Sequence, residues 1–582
     1  MGFDSKLPEY ERFKQGDQWP APTERTKNLP RPVFNIVKFF IRSKRSNVLN
    51  QTVKMVYSPS EVEPEGTLGH AAQGAKDYTD YASCLWAALD QDGLNEDFID
   101  DAATTGTGVF HYFWDNDVTG GMSLRYQGDL RGEVIDPLNI FFGNPQERRV
   151  QRQPWIIISS RESVQSIRQL AGKYHVPAEQ RELIQPDDDT RDEGYDAAQK
   201  ELRDAKKTTL LTKYYRKDGE VYFSKSTKTV DIVKDQPLTP LTAGAKGGAG
   251  ADAQQPSEPD LPEQKTAGRA RITLYPIVVM NWEKRKKCIY GTGEVESVIP
   301  NQKAINFNIA MMLLSVQQTG WPKIIAKENA LLEDVTNEPG EVITDYWTGG
   351  GDGIKFMQPP GFSGVAINLS DKVFELSRVT EGVNEVSSGE PFTTNMAASA
   401  IIALQNQAKQ PIENIQNRFY RAVKEVGKIW EQFFKTYYTL PRNMTFPDAD
   451  GNDQSRIFNG AEYADVEFNL KVDVGAGSSY SEALAQAVLD KLYDGQAITL
   501  DQYIELSPQS VMPFKEQLKK MREQQAQEQI LGGGMDAMPN MQIGNADYGQ
   551  LYAGGGGQFP GNADAGVYGA GAAMPQPAMP GI

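Results

Sequence analysis

The residues able to do chemistry are few. His70, His111 and His175 are the only three histidines, and Cys84 and Cys288 the only two cysteines. A Cys/His zinc site or a histidine-driven nucleophile has little raw material here. The glycine-rich stretch GAKGGAGA (244–251) lacks the Lys-Ser/Thr that completes a phosphate loop, and no strand pattern precedes it. Gly291-Thr292-Gly293 lacks the third glycine of a dinucleotide fingerprint, and HExxH, CxxC and GxSxG do not occur. Among the acidic runs, 448–453 (DADGND) suggests calcium. An EF-hand loop counted from Asp448 would need glycine and glutamate where Asp453 and Asn459 stand. That run reads as a hairpin turn, and Asp187-Asp188-Asp189 as a solvated helix boundary rather than a two-metal nuclease centre. His111, inside FHYFW, reads as a packed, satisfied histidine. The sequence therefore predicts no catalytic residue, no metal site and no cofactor, and leans towards a structural or assembly role.

Charge narrows the reading. The net charge of −17 argues against a broad basic face that grips nucleic acid, since tight phosphate binding needs clustered cations. It leaves room for a protein that surrounds DNA without gripping it. Two cysteines make no disulfide framework, which points to assembly in the cytosol. The start of the chain lacks the apolar segment of a secretory signal, and Lys6 stands where a myristoylation signal wants Ser or Thr. The most apolar stretch, 304–316, is interrupted by Asn306 and Asn308, so no membrane span is expected.

The elements that must position such residues follow from periodicity. Residues 1–30, polar and dotted with proline, read as an extended arm. The apolar run VFNIVKFFI (33–41) leads into Arg42, Lys44 and Arg45, read as a solvated helix end. Tyr78, Tyr81, Leu85, Trp86 and Leu89 recur at three- and four-residue steps and predict helix over 75–105. Alternating aromatic segments around a Gly120-Gly121 turn predict a hairpin over 108–135. A turn at Asp136-Pro137, a buried strand QPWIIISS (153–160) and a short amphipathic helix (162–174) come next. Residues 177–206 are acidic and helix-permissive. Strands over 208–233 turn at Asp218-Gly219. Residues 240–268 are too poor in apolar side chains to pack and read as a flexible insert, after which ITLYPIVVMNW (272–282) restores order.

The second half differs. Pro300 is expected to open a helix over 301–319, because a first-position proline costs no hydrogen bond. WPKIIA (321–326) and GEVITDYW (340–347) read as strands, and Ser370 as the cap of a helix over 371–386. Ile412, Ile415, Phe419, Val423, Val426, Trp430, Phe433 and Tyr437 keep one helical stripe through about 395–438, with Pro411 inside it predicting a kink. A hairpin turning at 447–452, the strand FNLKVDV and helices over 479–492 and 501–530 complete the pattern. Residues 532–582 hold 14 glycines and no Lys or Arg, and read as a disordered tail.

This α+β order resembles the portal proteins of tailed bacteriophages. Three segments carry the likeness: DPLNIFFGNPQERRVQRQPWIIIS, YGTGEVESVIPNQKAINFNIAMMLLSVQQTGWPKIIA, and VNEVSSGEPFTTNMAASAIIALQNQAKQPIENIQNRFYRAVKEVGKIWEQFF. They are similar to the wing segment, the entry into the first stem helix and clip, and the tunnel loop with its helix. The resemblance implies a ring-forming portal fold in which 1–30 is an N-terminal arm and 31–298 the first part of the wing. It places stem helices at 299–319 and 369–386, with the clip at 320–368 between them. The tunnel loop falls at 387–397, the tunnel helix and second wing part at 398–476, and the crown at 477–530.

The function implied is a non-enzymatic channel at one capsid vertex of the virion, for DNA packaging and ejection and for head–tail joining. The implied partners are further copies of the chain (usually a dodecamer), double-stranded DNA, the terminase large subunit, major capsid protein and scaffold, and a head–tail adaptor. Ser387, Ser388, Gly389, Pro391, Thr393, Thr394 and Asn395 would line the channel. Lys323, Lys327 and Lys355 would be clip contacts to DNA or partners, although plain surface lysines fit those positions too. Two other readings stay open: an oligomeric virion scaffold or adaptor that encloses no DNA, and a metal-dependent nuclease.

Overall fold

The computed structural model describes residues 3–60, 69–121, 124–187, 206–240, 270–320, 324–328, 330, 343–356, 364–383, 398–447, 453–474, 479–507, 518 and 521–522. The chain divides into two units, Met1–Glu516 and Gln517–Ile582. All that follows concerns the first.

The N-terminal segment corrects the expected extended arm. Phe3–Gln15 form helix α1, because Leu7, Tyr10 and Phe13 share one face and are each only 5% exposed. Helix α2 (Ile36–Val48) opens at Asn35, whose side chain accepts the Lys38 N–H at 3.0 Å. Strand β1 (Val53–Pro59) leads to α3 (His70–Ala88) and α4 (Gln91–Thr105). The single helix expected over 75–105 is thus two, broken where Asp90 takes a φ of 50°.

Two antiparallel sheets follow. In the first, β2 (Thr107–Gly120) is central, flanked by β3 (Tyr126–Val134) and β9 (Ile277–Asn281). The second runs β4 (Ile140–Phe142), β5 (Trp155–Ser163), β6 (Lys207–Lys217), β7 (Glu220–Ser226) and β8 (Asp231–Pro237) in sequence order. Helix α5 (Val164–Lys173) covers a satellite core of Ile167, Ala171, Leu210 and Ile232, and the short α6 (Ala178–Glu182) follows it. Asp187 does not wait for a metal. It pairs with Arg161 and accepts the Thr209 N–H at 2.8 Å.

Helix α7 (Glu294–Gly320) starts two turns earlier than Pro300 suggested. Pro300 has no N–H to offer the preceding turn, but Val295 and Val298 are fully buried and hold that turn helical. Strand β10 (Ile324–Ala326) pairs with β11 (Ile354–Phe356). The expected strand GEVITDYW therefore gives way to IKF, and residues 343–348 carry no strand. Helix α8 spans Gly364–Thr380 rather than 371–386. It stops because Gly382 takes a φ of 68°, letting Val383 N–H reach the Arg378 carbonyl at 3.0 Å and Gly382 N–H that of Val379 at 3.2 Å.

Helix α9 (Ala398–Tyr437) is one continuous 40-residue element that includes Pro411. Its predicted stripe is the centre of the main core: Phe419, Val423, Val426, Trp430 and Phe433 are at most 2% exposed. Strands β12 (Arg442–Pro447) and β13 (Asp453–Phe458) form the expected hairpin, whose turn lies outside the described residues. Strand β14 (Phe468–Val474) pairs antiparallel with β1, a long-range pairing the sequence did not announce. Helices α10 (Ser479–Asp494) and α11 (Leu500–Leu506) follow. The long last helix expected over 501–530 ends at Ser507, which is extended (ψ 138°) ahead of Pro508.

The Gly291-Thr292-Gly293 turn owes its composition to packing. A Cβ on Gly293 would lie 2.5 Å from the Thr104 carbonyl oxygen, and one on Gly106 (φ 95°) 2.6 Å from the Gly293 nitrogen. Backbone meets backbone where α4 ends and α7 begins, so no side chain fits. Gly293→Ala and Gly106→Ala should each destabilise the chain by about 2 kcal/mol or more, read as lower midpoints of thermal unfolding. Gly350→Ala, where a Cβ meets nothing within 4 Å, should leave the midpoint unchanged.

Candidate functional site

Helices α7 and α8 are the pair from which a site can be built. They pack along each other, and the first turn of α7 meets the end of α8, where Ser297 Oγ donates to Glu381 Oε1 at 2.9 Å. They therefore run antiparallel, with the β10–β11 ribbon connecting their far ends.

Their common root is held by a buried charge cluster. Lys44 of α2, 7% exposed, pairs with Glu294 of α7 and, at 3.4 Å, with Glu381 just beyond α8. The Trp282 indole N–H donates to the second Glu294 oxygen at 2.9 Å. This corrects the solvated helix end expected over 42–45, since Arg45 is also engaged, by Glu96 at 2.9 Å and Asp100 at 3.4 Å. Burial, assisted by the neighbouring Glu381 and opposed by the Lys44 charge, pushes the Glu294 carboxyl up to about 7.

A polar network beside the cluster ties down the N-terminal segment. Gln302 of α7 accepts the Ile36 N–H at 2.8 Å and donates to the Phe34 carbonyl at 2.7 Å. Asn306 donates to Gln18 at 2.6 Å. Gln302 thus satisfies an orphan donor at the start of α2 from outside that helix. Phe374 of α8 completes the root against Phe34 and Phe39, both at ring-centroid distances of 6.3 Å.

On its outward sides the pair changes character. Phe307 (59%), Val316 (67%), Leu376 (53%) and Val379 (73%) are largely exposed. Phe307 and Val316, nine residues apart, lie on opposite sides of α7, and Leu376 and Val379 lie in the last turns of α8, so the exposed apolar side chains are spread over several sides of the pair. The sequence stripe Ile305, Ile309, Met312 and Val316 divides accordingly: Ile305 is buried in the chain's own core and Val316 faces outwards.

The predicted site residues are not gathered in one place. Lys327 sits 4.7 Å from the Trp347 ring centroid and 3.5 Å from the Gly350 carbonyl oxygen, so it holds the turn beside the β10–β11 ribbon. Asp345 braces the same turn by accepting the Trp347 and Gly353 N–H groups, both at 2.9 Å, which pulls its carboxyl below the usual range. Lys355 is exposed on β11, and Lys323 lies outside the described residues. So do Ser387, Ser388, Gly389, Pro391, Thr393, Thr394 and Asn395. His111 is held at 2.7 Å from Glu133 and 2.8 Å from the Tyr214 hydroxyl, as a packed histidine should be. Among the described residues no cluster of His, Cys, Asp and Glu could hold a metal, and no helix is long and apolar enough to cross a membrane.

Sequence reasoning missed Lys44, Glu294, Glu381 and Trp282. The one available signal was Lys44, spaced at helical intervals from Phe40 and Ile41 and so on the buried face of α2.

The arrangement defines an α+β chain whose paired helices carry exposed apolar side chains around a tightly bonded root. Residues 260–542, just under half of the chain, match the family model of the phage P22-like portal proteins. That span takes in α7, the β10–β11 ribbon, α8 and α9, and it supports a tailed-phage portal protein. No curated protein matches the chain.

Removing Lys44 would leave two carboxylates facing each other in the core, and Lys44→Met should cost about 3–5 kcal/mol in unfolding free energy. Glu294, with its folded pKa raised to about 7, holds a proton in the folded chain that the unfolded chain has already lost. Its contribution to stability is therefore full below about pH 4.5 and falls as pH rises towards about 7. The melting temperature of Glu294→Gln minus that of the wild type should become more positive between about pH 5 and pH 7.5. A difference independent of pH would contradict this.

Proposed function

We propose that many copies of the chain close into a ring at one capsid vertex, through whose channel double-stranded DNA is packaged and later ejected. The observation that carries the reading is the set of exposed apolar side chains on α7 and α8, lying within the span that matches the portal family. Neighbouring copies on either side cover these side chains. Burial of each such side chain is worth about 1.5–3 kcal/mol, repeated at every contact around the ring.

In this reading α7 and α8 form the stem, the β10–β11 ribbon belongs to the clip, and residues 387–397 form the tunnel loop. No Lys or Arg occurs between Arg378 and Lys409. The loop therefore meets phosphates with backbone N–H groups and the side chains of Ser387, Ser388, Thr393, Thr394 and Asn395. Such contacts are weak and interchangeable, which suits DNA that must slide. Gly389 and Pro391 shape the bend, and Pro411 is where the tunnel helix would kink.

The work of pumping falls to the terminase large subunit, which meets the clip, and a head–tail adaptor takes its place later. Major capsid protein and scaffold surround the ring during assembly in the host cytoplasm. The chain itself acts as a structural conduit and catalyses no reaction.

Val316→Asp combined with Val379→Asp should leave the fold intact by circular dichroism and abolish assembly in mass photometry. A variant that assembles like the wild type would remove the stem contact from the account. Deleting 387–395 should leave assembly unchanged and reduce packaged or retained DNA, measured per particle in a packaging reaction. Unchanged DNA content would strip the loop of its role.

A further inference from the structure

We propose that Arg148, Lys284, Arg418 and Arg421, with Lys424 and Lys428 beside them, form a binding surface for the phosphates of duplex DNA, separate from the tunnel loop. Three segments distant in sequence build it. The Ile289 N–H donates to the Pro145 carbonyl at 2.9 Å, setting the loop of Arg148 beside the loop that follows β9. The Arg418 guanidinium donates to the Trp282 carbonyl, fixing α9 against that same loop. Along α9, positions 418, 421, 424 and 428 fall on one face at helical spacing, opposite the buried stripe.

Together residues 147–149, 282–288 and 418–428 contain ten Lys or Arg against three Glu, in a chain whose net charge is −17. Among the described residues, Arg148, Lys284, Arg421, Lys424 and Lys428 have no ion-pair partner. Of the carboxylates, Glu147 accepts the Arg149 N–H at 3.0 Å, and Glu425 has Lys428 as its charged neighbour. The crowding has an electrostatic consequence. Partial burial first, and then the charges of Arg418, Arg421 and Arg148, push the Lys284 ammonium below its ordinary value. A group so placed is relieved by an anion.

The surface is exposed and spread over several cations rather than folded into a pocket. It therefore fits a phosphodiester backbone better than one small anion. Guanidinium forks engage phosphate oxygens in pairs. The composition-based expectation of no basic face holds for the chain as a whole and fails locally, because folding collects cations that the sequence keeps more than a hundred residues apart. Naming DNA as the occupant rests on the conduit reading above.

The test uses the full-length assembled protein and a labelled random-sequence duplex of about 30 base pairs, followed by fluorescence anisotropy against salt. Binding of the wild type should weaken steeply with salt. Arg148→Gln/Lys284→Gln/Arg421→Gln should bind at least tenfold more weakly at low salt. Its slope of log K against log salt should be shallower by about 0.9 for each phosphate that the variant no longer neutralises. Equal affinity in wild type and variant would overturn the proposal. So would poly-glutamate competing as well as unlabelled DNA, since the surface would then recognise acidic polypeptide. Competition by inorganic polyphosphate as strong as by DNA would likewise overturn the assignment to duplex DNA. Electron microscopy of the same samples separates the two readings. Rings with unchanged DNA affinity sink this surface alone, whereas hole-less particles whose DNA binding falls in the variant keep the surface and sink the conduit.

Discussion

A lysine ammonium taken out of water needs its charges met, and Lys44 meets them with two carboxylates that come from the start of α7 and from just beyond α8. The desolvation cost of burying an ammonium between two carboxyl groups makes this a demanding arrangement. It holds only while all three segments stay in place. That requirement makes the first turn of α7 inseparable from the last of α8 and from the core helix α2. Gln302 and Asn306 extend the requirement to the N-terminal segment, and the close backbone approach at Gly106 and Gly293 extends it to the β2–β9 sheet. The helix pair thus starts from a base bonded within the chain, with its exposed apolar side chains left for something outside it.

This division of labour fits a subunit that works only in an assembly. Residues on the inward sides of the root satisfy one another within the chain, while the exposed apolar side chains of α7 and α8 do not. Glu294, the first residue of α7, joins that helix to Trp282 after β9 and to Lys44 of α2.

Much of the fold was legible from periodicity. The stripe from Ile412 to Phe433 marked the central helix because about six turns of one-sided burial leave a strong signal. The hairpins over 108–135 and 443–458 were legible because aromatic alternation and turn residues are local. What escaped depends on distance along the chain. Lys44 looked like a solvated cation because its partners stand 250 and 337 residues away. Pro300 looked like a helix start because local chemistry favours it there, and only the burial of Val295 and Val298 shows why the helix begins earlier. Leu7, Tyr10 and Phe13 were hidden among polar residues and prolines, and β1 gave no hint of β14. Of the candidate site, Lys327 was found for a different reason than its place beside Trp347 supplies, and the cationic surface around Lys284 was invisible to composition.

The portal reading stands or falls on closure. Class averages from electron microscopy of the purified full-length chain test it most directly. The account predicts closed annuli of a single dominant symmetry, with an open centre wide enough for duplex DNA. Particles without a central opening, or a chain that stays solitary at the highest concentrations reached, would contradict it.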